Sequence, residues 1–117
     1  MTTNIFMNDL EEMKFIFNGV ERWKEIDLFL YFYSDANTEP SETGYALFDA
    51  AVERSMHTVS DDEEELEYHY MTTYNNYANG RDFYLTREAV YAVVLEINPC
   101  NQTIVDAKNA IVDKAFN

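Results

Sequence analysis

The feature that most constrains this chain is a run of acidic residues at the start of a helical pattern. The six carboxylates, here called the acidic crown, are Asp61, Asp62, Glu63, Glu64, Glu65 and Glu67. Ser60 and Glu63 have the spacing of a capping box, in which each side chain binds the backbone N–H of the other residue. Acidic side chains in a first turn also complement the positive end of the helix dipole. The stretch therefore predicts a helix from Ser60 to a left-handed stop at Asn79 and Gly80.

One face of this predicted helix is apolar and aromatic. At about 100° per residue, four side chains fall within an arc of about 80°. They are Leu66, Tyr70, Tyr74 and Tyr77. Most of the acidic crown occupies the remaining arc, with Tyr68 on the outward side among the carboxylates. We expect a helix with tyrosines inward and carboxylates in solvent.

Five other segments have apolar residues at helical spacing. They are 8–18, 20–34, 45–56, 87–97 and 101–116. Together with the acidic helix they predict a single all-α domain over residues 1–117, a compact bundle of about five or six short helices. The alternative is an α+β fold with strands near 26–33, an apolar run, and 89–97, which is rich in β-branched residues.

Particular residues mark the ends of these segments. Gly19 ends the first helix, although Asn18 and Gly19 are also typical of a hairpin turn. Thr86 is the predicted N-cap of the helix that follows it. Residues 35–43 are predicted to be a loop because they contain Pro40 and polar turn formers, and 81–85 to be a short connector.

Within the segments, the spacing predicts which side chains are buried. In 20–34 the predicted stripe is imperfect and consists of Val20, Trp23, Asp27 and Leu30. In 45–56 the predicted stripe is Phe48, Ala51, Val52 and Ser55. The last two helices are predicted to bury Val90, Val93, Val94, Ile97, Ile104, Ala107, Ile111 and Ala115.

Net charge is the strongest departure from an ordinary composition. The chain has 22 acidic and 8 basic residues, a formal net charge of −14, and both halves share it equally. Such a chain repels nucleic acid and anionic membranes and favours basic protein surfaces. Because no basic, apolar leader begins the chain and Cys100 is its one cysteine, we expect a cytoplasmic protein.

No catalytic signature accompanies this charge. The sequence has no GxSxG, Walker A, GxGxxG, CxxC or HExxH pattern, so we expect neither an enzyme nor a cofactor. One constellation supports a metal-binding enzyme or carrier as a distant third hypothesis. Glu53 and His57, and likewise Glu65 and His69, are four residues apart, which places each pair on one helix face.

The acidic residues themselves are therefore the candidate functional group. The predicted partner-binding residues are Asp61, Asp62, Glu64, Glu65, Glu67 and Tyr68. In composition the chain resembles small phage-encoded inhibitors that imitate DNA, such as anti-restriction and anti-CRISPR proteins, and that resemblance implies a basic nucleic-acid-binding protein as the partner. It includes no shared motif, so no residue role follows from it. The alternative is an immunity or adaptor protein that binds one basic toxin or partner.

Overall fold

The computed structural model of the chain describes residues 5–33, 42–73 and 82–116. Over these ranges the fold is α+β, with six helices and a four-stranded antiparallel sheet. The helices are α1 (Ile5–Met13), α2 (Glu25–Tyr33), α3 (Glu42–Val59), α4 (Glu63–His69), α5 (Arg87–Glu96) and α6 (Gln102–Phe116). The strands are β1 (Phe15–Phe17), β2 (Val20–Lys24), β3 (Tyr70–Thr73) and β4 (Asp82–Leu85).

The prediction of an all-α bundle is therefore wrong. The two strands of the α+β alternative were also misplaced, because residues 26–33 lie in α2 and most of 89–97 lies in α5. The true strands have three to five residues each. Strands of that length show too few alternations to be distinguished from helix ends by hydrophobic spacing.

The sheet has the order β1-β2-β4-β3, and one of its faces packs into the core. Trp23 of β2 and Tyr70 of β3 both lie opposite Leu85 of β4, and all three side chains are buried. The Trp23 Nε1–H donates to the Leu10 carbonyl oxygen at 2.8 Å, which ties α1 to the sheet. In the segment 81–85, predicted to be a connector, residues 82–85 thus form β4, one of the two inner strands of the sheet.

Asn18 and Gly19 form the hairpin turn that was the alternative at this point. Their φ angles are 53° and 80°, the left-handed conformation that Asn-Gly turns between antiparallel strands require. The predicted helix 8–18 consequently stops at Met13. The hairpin also packs the rings of Phe15 and Phe17 edge-on against Tyr84, with centroids 5.0 and 5.5 Å apart.

The segment 20–34 was predicted to be a single helix, and this is wrong, because residues 20–24 form β2 and 25–33 form α2. The predicted buried stripe crossed the junction between β2 and α2, and two of its members, Asp27 and Leu30, are exposed. The residues that α2 buries are Glu25, Leu28, Phe29, Phe32 and Tyr33. These lie on one helical face once the helix is counted from Glu25.

Three helix predictions are confirmed, and so are their buried faces as far as the side chains are described. The side chain of Ala115, the last member of the predicted α6 stripe, lies outside the described part of the chain. All four stripe residues of 45–56 are buried in α3, which extends beyond the prediction at both ends and so includes Glu42 and Thr43 of the predicted loop. The predicted apolar stripe of α5 is buried with Ile97, and Ile104, Ala107 and Ile111 of α6 are buried as predicted. The α3 and α5 helices pack against each other and form much of the core.

The predicted helix from Ser60 to Gly80 is much shorter in the structure. Among the described residues 60–73 of this stretch, only 63–69 are helical, and the chain enters β3 at Tyr70. Tyr70 is buried as predicted, but as a strand residue whose hydroxyl lies 2.7 Å from the Ser55 Oγ. Tyr74, Tyr77, Asn79, Gly80 and most of the predicted loop 35–43 lie outside the described residues.

Candidate protein-binding surface

The α4 helix is capped two residues later than the sequence predicted. Asp62 is the N-cap, and its Oδ2 accepts the Glu65 backbone N–H at 3.2 Å. Ser60 supports this cap, since its Oγ accepts the Asp62 backbone N–H at 3.0 Å. Leu66 packs against the core from the inner side of the helix. The helix is thereby fixed at its start and along its inner face.

All members of the acidic crown are exposed to solvent, and so is the side chain of Tyr68, which is 48% exposed. The structure therefore places the predicted partner-binding residues Asp61, Asp62, Glu64, Glu65, Glu67 and Tyr68 on one short exposed segment. No basic residue in the described part of the chain forms an ion pair with the crown. Its negative charge is left without a protein counterion there.

The described lysines and arginines are engaged elsewhere. Three of them form ion pairs: Lys14 with Glu11 and Glu21, Arg54 with Glu96, and Arg87 with Glu11 and Glu21. Lys108 donates to the Leu95 carbonyl oxygen and Lys114 to the Tyr91 hydroxyl. Lys24 lies over the Phe15 ring. Arg22 is buried beneath Tyr68. The positive charges in the described ranges thus serve the fold.

Arg22 positions Tyr68. The guanidinium carbon lies 5.0 Å from the centroid of the Tyr68 ring, and Nη1 donates to the carbonyl oxygens of Tyr68 and Tyr84. Arg22 is 1% exposed, and this burial lowers its pKa from the ordinary value. The sequence analysis missed this arrangement, because Arg22 and Tyr68 are 46 residues apart in the chain and no local pattern links them.

Beside Tyr68 lies a cleft of about 390 Å³ between three separate elements. Its walls are the hairpin turn and the start of β2, the end of α4, and the start of α5. The lining residues are Gly19, Val20, Glu21, Tyr68, His69, Thr86, Arg87 and Glu88. Sequence reasoning missed this cleft because its three walls are far apart in the chain.

His69 joins two walls of the cleft. Its Nδ1 lies 2.6 Å from the Thr86 Oγ1, and its Nε2 lies 3.5 Å from Glu88 Oε2. Thr86 is the N-cap of α5, as predicted, and its Oγ1 accepts the Ala89 backbone N–H at 3.3 Å. The Thr86 N–H also donates to the His69 carbonyl oxygen at 3.1 Å. The end of α4 and the start of α5 are therefore held together.

A network of ion pairs joins the β2 wall of the cleft to the start of α5. Arg87 Nη2 donates to Glu11 Oε1 at 2.8 Å and to Glu21 Oε2 at 3.0 Å, and its guanidinium lies over the Trp23 ring. Hydrogen bonds from Lys14 and then Arg87 lower the pKa of Glu11 to about 2, and the same donors lower the pKa of Glu21. Both glutamates are therefore ionised at neutral pH and offset the charge of Arg87.

The structure does not assemble the metal site that was the third hypothesis. Glu53 and His57 are exposed on α3, whereas His69 contacts Thr86 and Glu88. Within residues 5–33, 42–73 and 82–116, no group of three or more His, Cys, Asp or Glu residues is arranged to hold a metal ion. Cys100 is a free, exposed thiol.

Comparisons of the chain with protein families, curated proteins and solved structures found no match in any of the three. None of the described helices is both long and apolar enough to cross a bilayer.

Proposed function

We propose that this protein is an inhibitor that binds the basic nucleic-acid-binding surface of another protein, with the acidic crown in the place of a DNA backbone. The observation that carries this proposal is that the acidic crown is exposed and unpaired within the described ranges. Its carboxylates are exposed on a capped helix and have no ion-pair partner among the described residues. The protein acts by binding and occlusion and catalyses no reaction.

The local charge density supports imitation of DNA. Averaged over the accessible surface of 7407 Å², a net charge of −14 gives one negative charge per roughly 530 Å². Duplex DNA, with one charge per ~1.7 Å of axis on a cylinder of about 10 Å radius, has one per roughly 110 Å². The crown is denser than the average. Four of its carboxylates, Glu63, Glu64, Glu65 and Glu67, lie on α4 within about 6 Å of helical rise, which is close to the linear charge of duplex DNA over that length.

Fold stability does not account for the whole crown. Asp62 caps α4, and Glu63, Glu64 and Glu65 in the first turn complement the helix dipole. Glu67 has neither role, because it lies in the last turn with like charges three and four residues before it. A side chain that its own helix disfavours supports a role outside the fold.

Tyr68 adds an anchor to this charged surface. Its ring is fixed by Arg22 on one side and still half exposed, so an incoming arginine can stack on it with little loss of side-chain freedom. Tyrosine is enriched among the residues that dominate binding energy at interfaces. Carboxylates around a fixed tyrosine are complementary to arginine-rich surfaces that bind phosphates.

The partner that we infer is a nuclease, a restriction or CRISPR component, or another basic DNA-binding protein, encountered in the cytoplasm. This corresponds to the phage-type class of anti-restriction and anti-CRISPR inhibitors. The inhibitor itself needs no cofactor and does not bind nucleic acid, because its net charge of −14 repels the phosphate backbone.

The test is affinity capture from a bacterial lysate with three immobilised proteins. These are the wild type, the variant E64K/E65K/E67K, and a control with the single reversal Asp113→Lys on α6. Bound proteins are eluted with excess duplex DNA and identified by mass spectrometry. We expect the wild type and the control to release the same DNA-binding protein, and the triple variant to retain none.

Two results would contradict the proposal. Equal capture of the eluted protein by the triple variant would remove the crown from the interface. A partner that remains bound through excess DNA would indicate an immunity or adaptor protein directed at a surface other than the DNA site.

A further inference from the structure

The cleft beside Tyr68 continues the acidic crown. Glu64 is four residues before Tyr68, and Glu65 is four residues before His69, so each pair shares one side of α4. Tyr68 and His69 in turn line the cleft. A partner chain that lies along the crown therefore meets the mouth of this cleft next.

The charge of the cleft suits a cation. Glu21 and Glu88 lie on different walls, and the Glu88 side chain is 65% exposed. The positive charge of Arg87 is offset, because its guanidinium pairs with Glu11 and Glu21 and lies over Trp23. Glu88 therefore presents a carboxylate whose only ion-pair contact in the described chain is His69, at 3.5 Å.

The protein already binds one guanidinium in this way. Arg22 lies over the Tyr68 ring and donates to the Tyr68 carbonyl oxygen. The ring is nevertheless 48% exposed, so it presents further surface to the cleft and to solvent. An aromatic face, a carboxylate and a wall without a side chain at Gly19 are the components that a second guanidinium needs.

An anion is a poor fit to the same space. Although the cleft includes the N-terminus of α5, the Thr86 side chain already accepts the Ala89 N–H there, and Glu88 places a negative charge in that first turn. Like-charge repulsion from Glu88 disfavours a phosphate or carboxylate. The remaining occupant of suitable chemistry is a side-chain cation.

We propose that this cleft receives one arginine side chain of the partner, with its guanidinium against the Tyr68 ring and paired with the Glu88 carboxylate. The inference rests on the proposed function, and it adds a specific anchor to a surface that otherwise selects by charge. Arginine is favoured over lysine because its planar group both stacks on an aromatic ring and forms two parallel hydrogen bonds with one carboxylate.

The experiment needs no partner protein. The ¹⁵N-labelled full chain is titrated with N-acetyl-arginine amide, and in parallel with the lysine analogue and the uncharged citrulline analogue. We expect saturable shifts of the backbone amides at 19–21, 68–69 and 86–88 with the arginine compound. The lysine analogue is expected to bind more weakly, and the citrulline analogue is expected to give no saturable shift.

Two variants locate the binding. Glu88→Gln is expected to weaken arginine binding about tenfold, since it removes a charge-assisted bond. Glu53→Gln removes an equal charge from an exposed position on α3 and is expected to leave the affinity unchanged. The amide spectra of both variants without ligand show whether the fold is intact.

Three results would overturn the inference. They are the absence of saturable shifts in the cleft, equal affinity of Glu88→Gln and wild type, and equal binding of the arginine and lysine analogues. None of them affects the proposed function, because the capture experiment alters only the crown. If E64K/E65K/E67K captures the same protein as the wild type, and N-acetyl-arginine amide still binds the cleft, the proposed function is refuted but the inference about the cleft is not.

Discussion

Replacing Glu67 with lysine is expected to stabilise the fold and to weaken partner binding at the same time. In the structure Glu67 lies in the last turn of α4, with Glu63 four residues and Glu64 three residues before it. These like charges repel each other, and a negative charge at this end opposes the helix dipole. The wild-type residue is therefore locally unfavourable.

The size of the effect follows from these contacts. Each like-charge pair costs about 0.2–0.5 kcal/mol, and reversing one charge makes both pairs attractive by similar amounts. A lysine in the last turn adds about 0.3–1 kcal/mol from the dipole. Because the side chain is exposed and solvent screens these charges, we expect a net gain of about 1 kcal/mol in the free energy of unfolding. This corresponds to a rise in melting temperature of about 3–5 °C for a domain of this size.

The assay is urea denaturation in low salt, followed by calorimetry. Asp113→Lys is the matched control, because it changes net charge equally near the C-terminal end of α6 but has no charged residue three or four positions away. Glu67→Lys should exceed this control in stability, and the difference should shrink in high salt. The same variant should show weaker partner binding than the control.

If Glu67→Lys lowers the free energy of unfolding by 1 kcal/mol or more, Glu67 is not unfavourable in α4. The carboxylate would then have a structural role that its contacts do not reveal. A stabilised variant with undiminished partner binding would separate the two claims, since the electrostatic account of α4 would stand and Glu67 would lie outside the interface.

Three further perturbations test the contacts that shape the surface. Gly19→Ala should lower the free energy of unfolding by about 1 kcal/mol in urea denaturation. The cause is backbone strain at φ +80° alone, because no atom lies within 4 Å of an added Cβ. An unchanged stability would contradict the turn assignment. Thr86→Val should lower the free energy of unfolding by about 1–2 kcal/mol, because it removes the α5 cap and the His69 contact. Thr86→Ser keeps the hydroxyl and should retain most of the stability. Equal losses in the two variants would exclude the hydroxyl as the cause. The lowered pKa of Glu11 means that its ion pairs stabilise the fold above pH 4.5 and are lost as the pH falls to about 2. The stability difference between wild type and Glu11→Gln should therefore vanish over that interval in urea titrations at several pH values, and a constant difference would refute the network.

Helices of ten or more residues could be predicted from the sequence, because apolar spacing and caps agree in them. The α5 helix shows this agreement, with Thr86 at its N-cap and its apolar stripe buried. The four strands could not be predicted, since each is short and two of them continue directly into or out of a helix. The Asn18-Gly19 turn was the one local signal of the sheet, and the helical spacing before it outweighed that signal.

The candidate surface likewise has features that could be predicted from the sequence and features that could not. Exposure of the acidic crown follows from sequence, because burial of consecutive carboxylates without partners is too costly. The length of α4 does not follow, since Tyr70 continues the helical spacing of Leu66 but pairs with Leu85 as a strand residue. The cleft depends on contacts between residues near 20, 69 and 87, and no local pattern encodes such contacts.

If the acidic crown occupies the DNA site of the partner, this protein and DNA cannot bind the partner together, and a competition measurement shows whether they do. The partner obtained by DNA elution is mixed with a labelled duplex, and fluorescence anisotropy is followed as the acidic protein is added. We predict complete displacement of the duplex, with an apparent dissociation constant for DNA that rises linearly with the concentration of the acidic protein, and no displacement by E64K/E65K/E67K. A ternary complex, in which the duplex stays bound while the acidic protein saturates the partner, would show that the acidic crown does not occupy the DNA site.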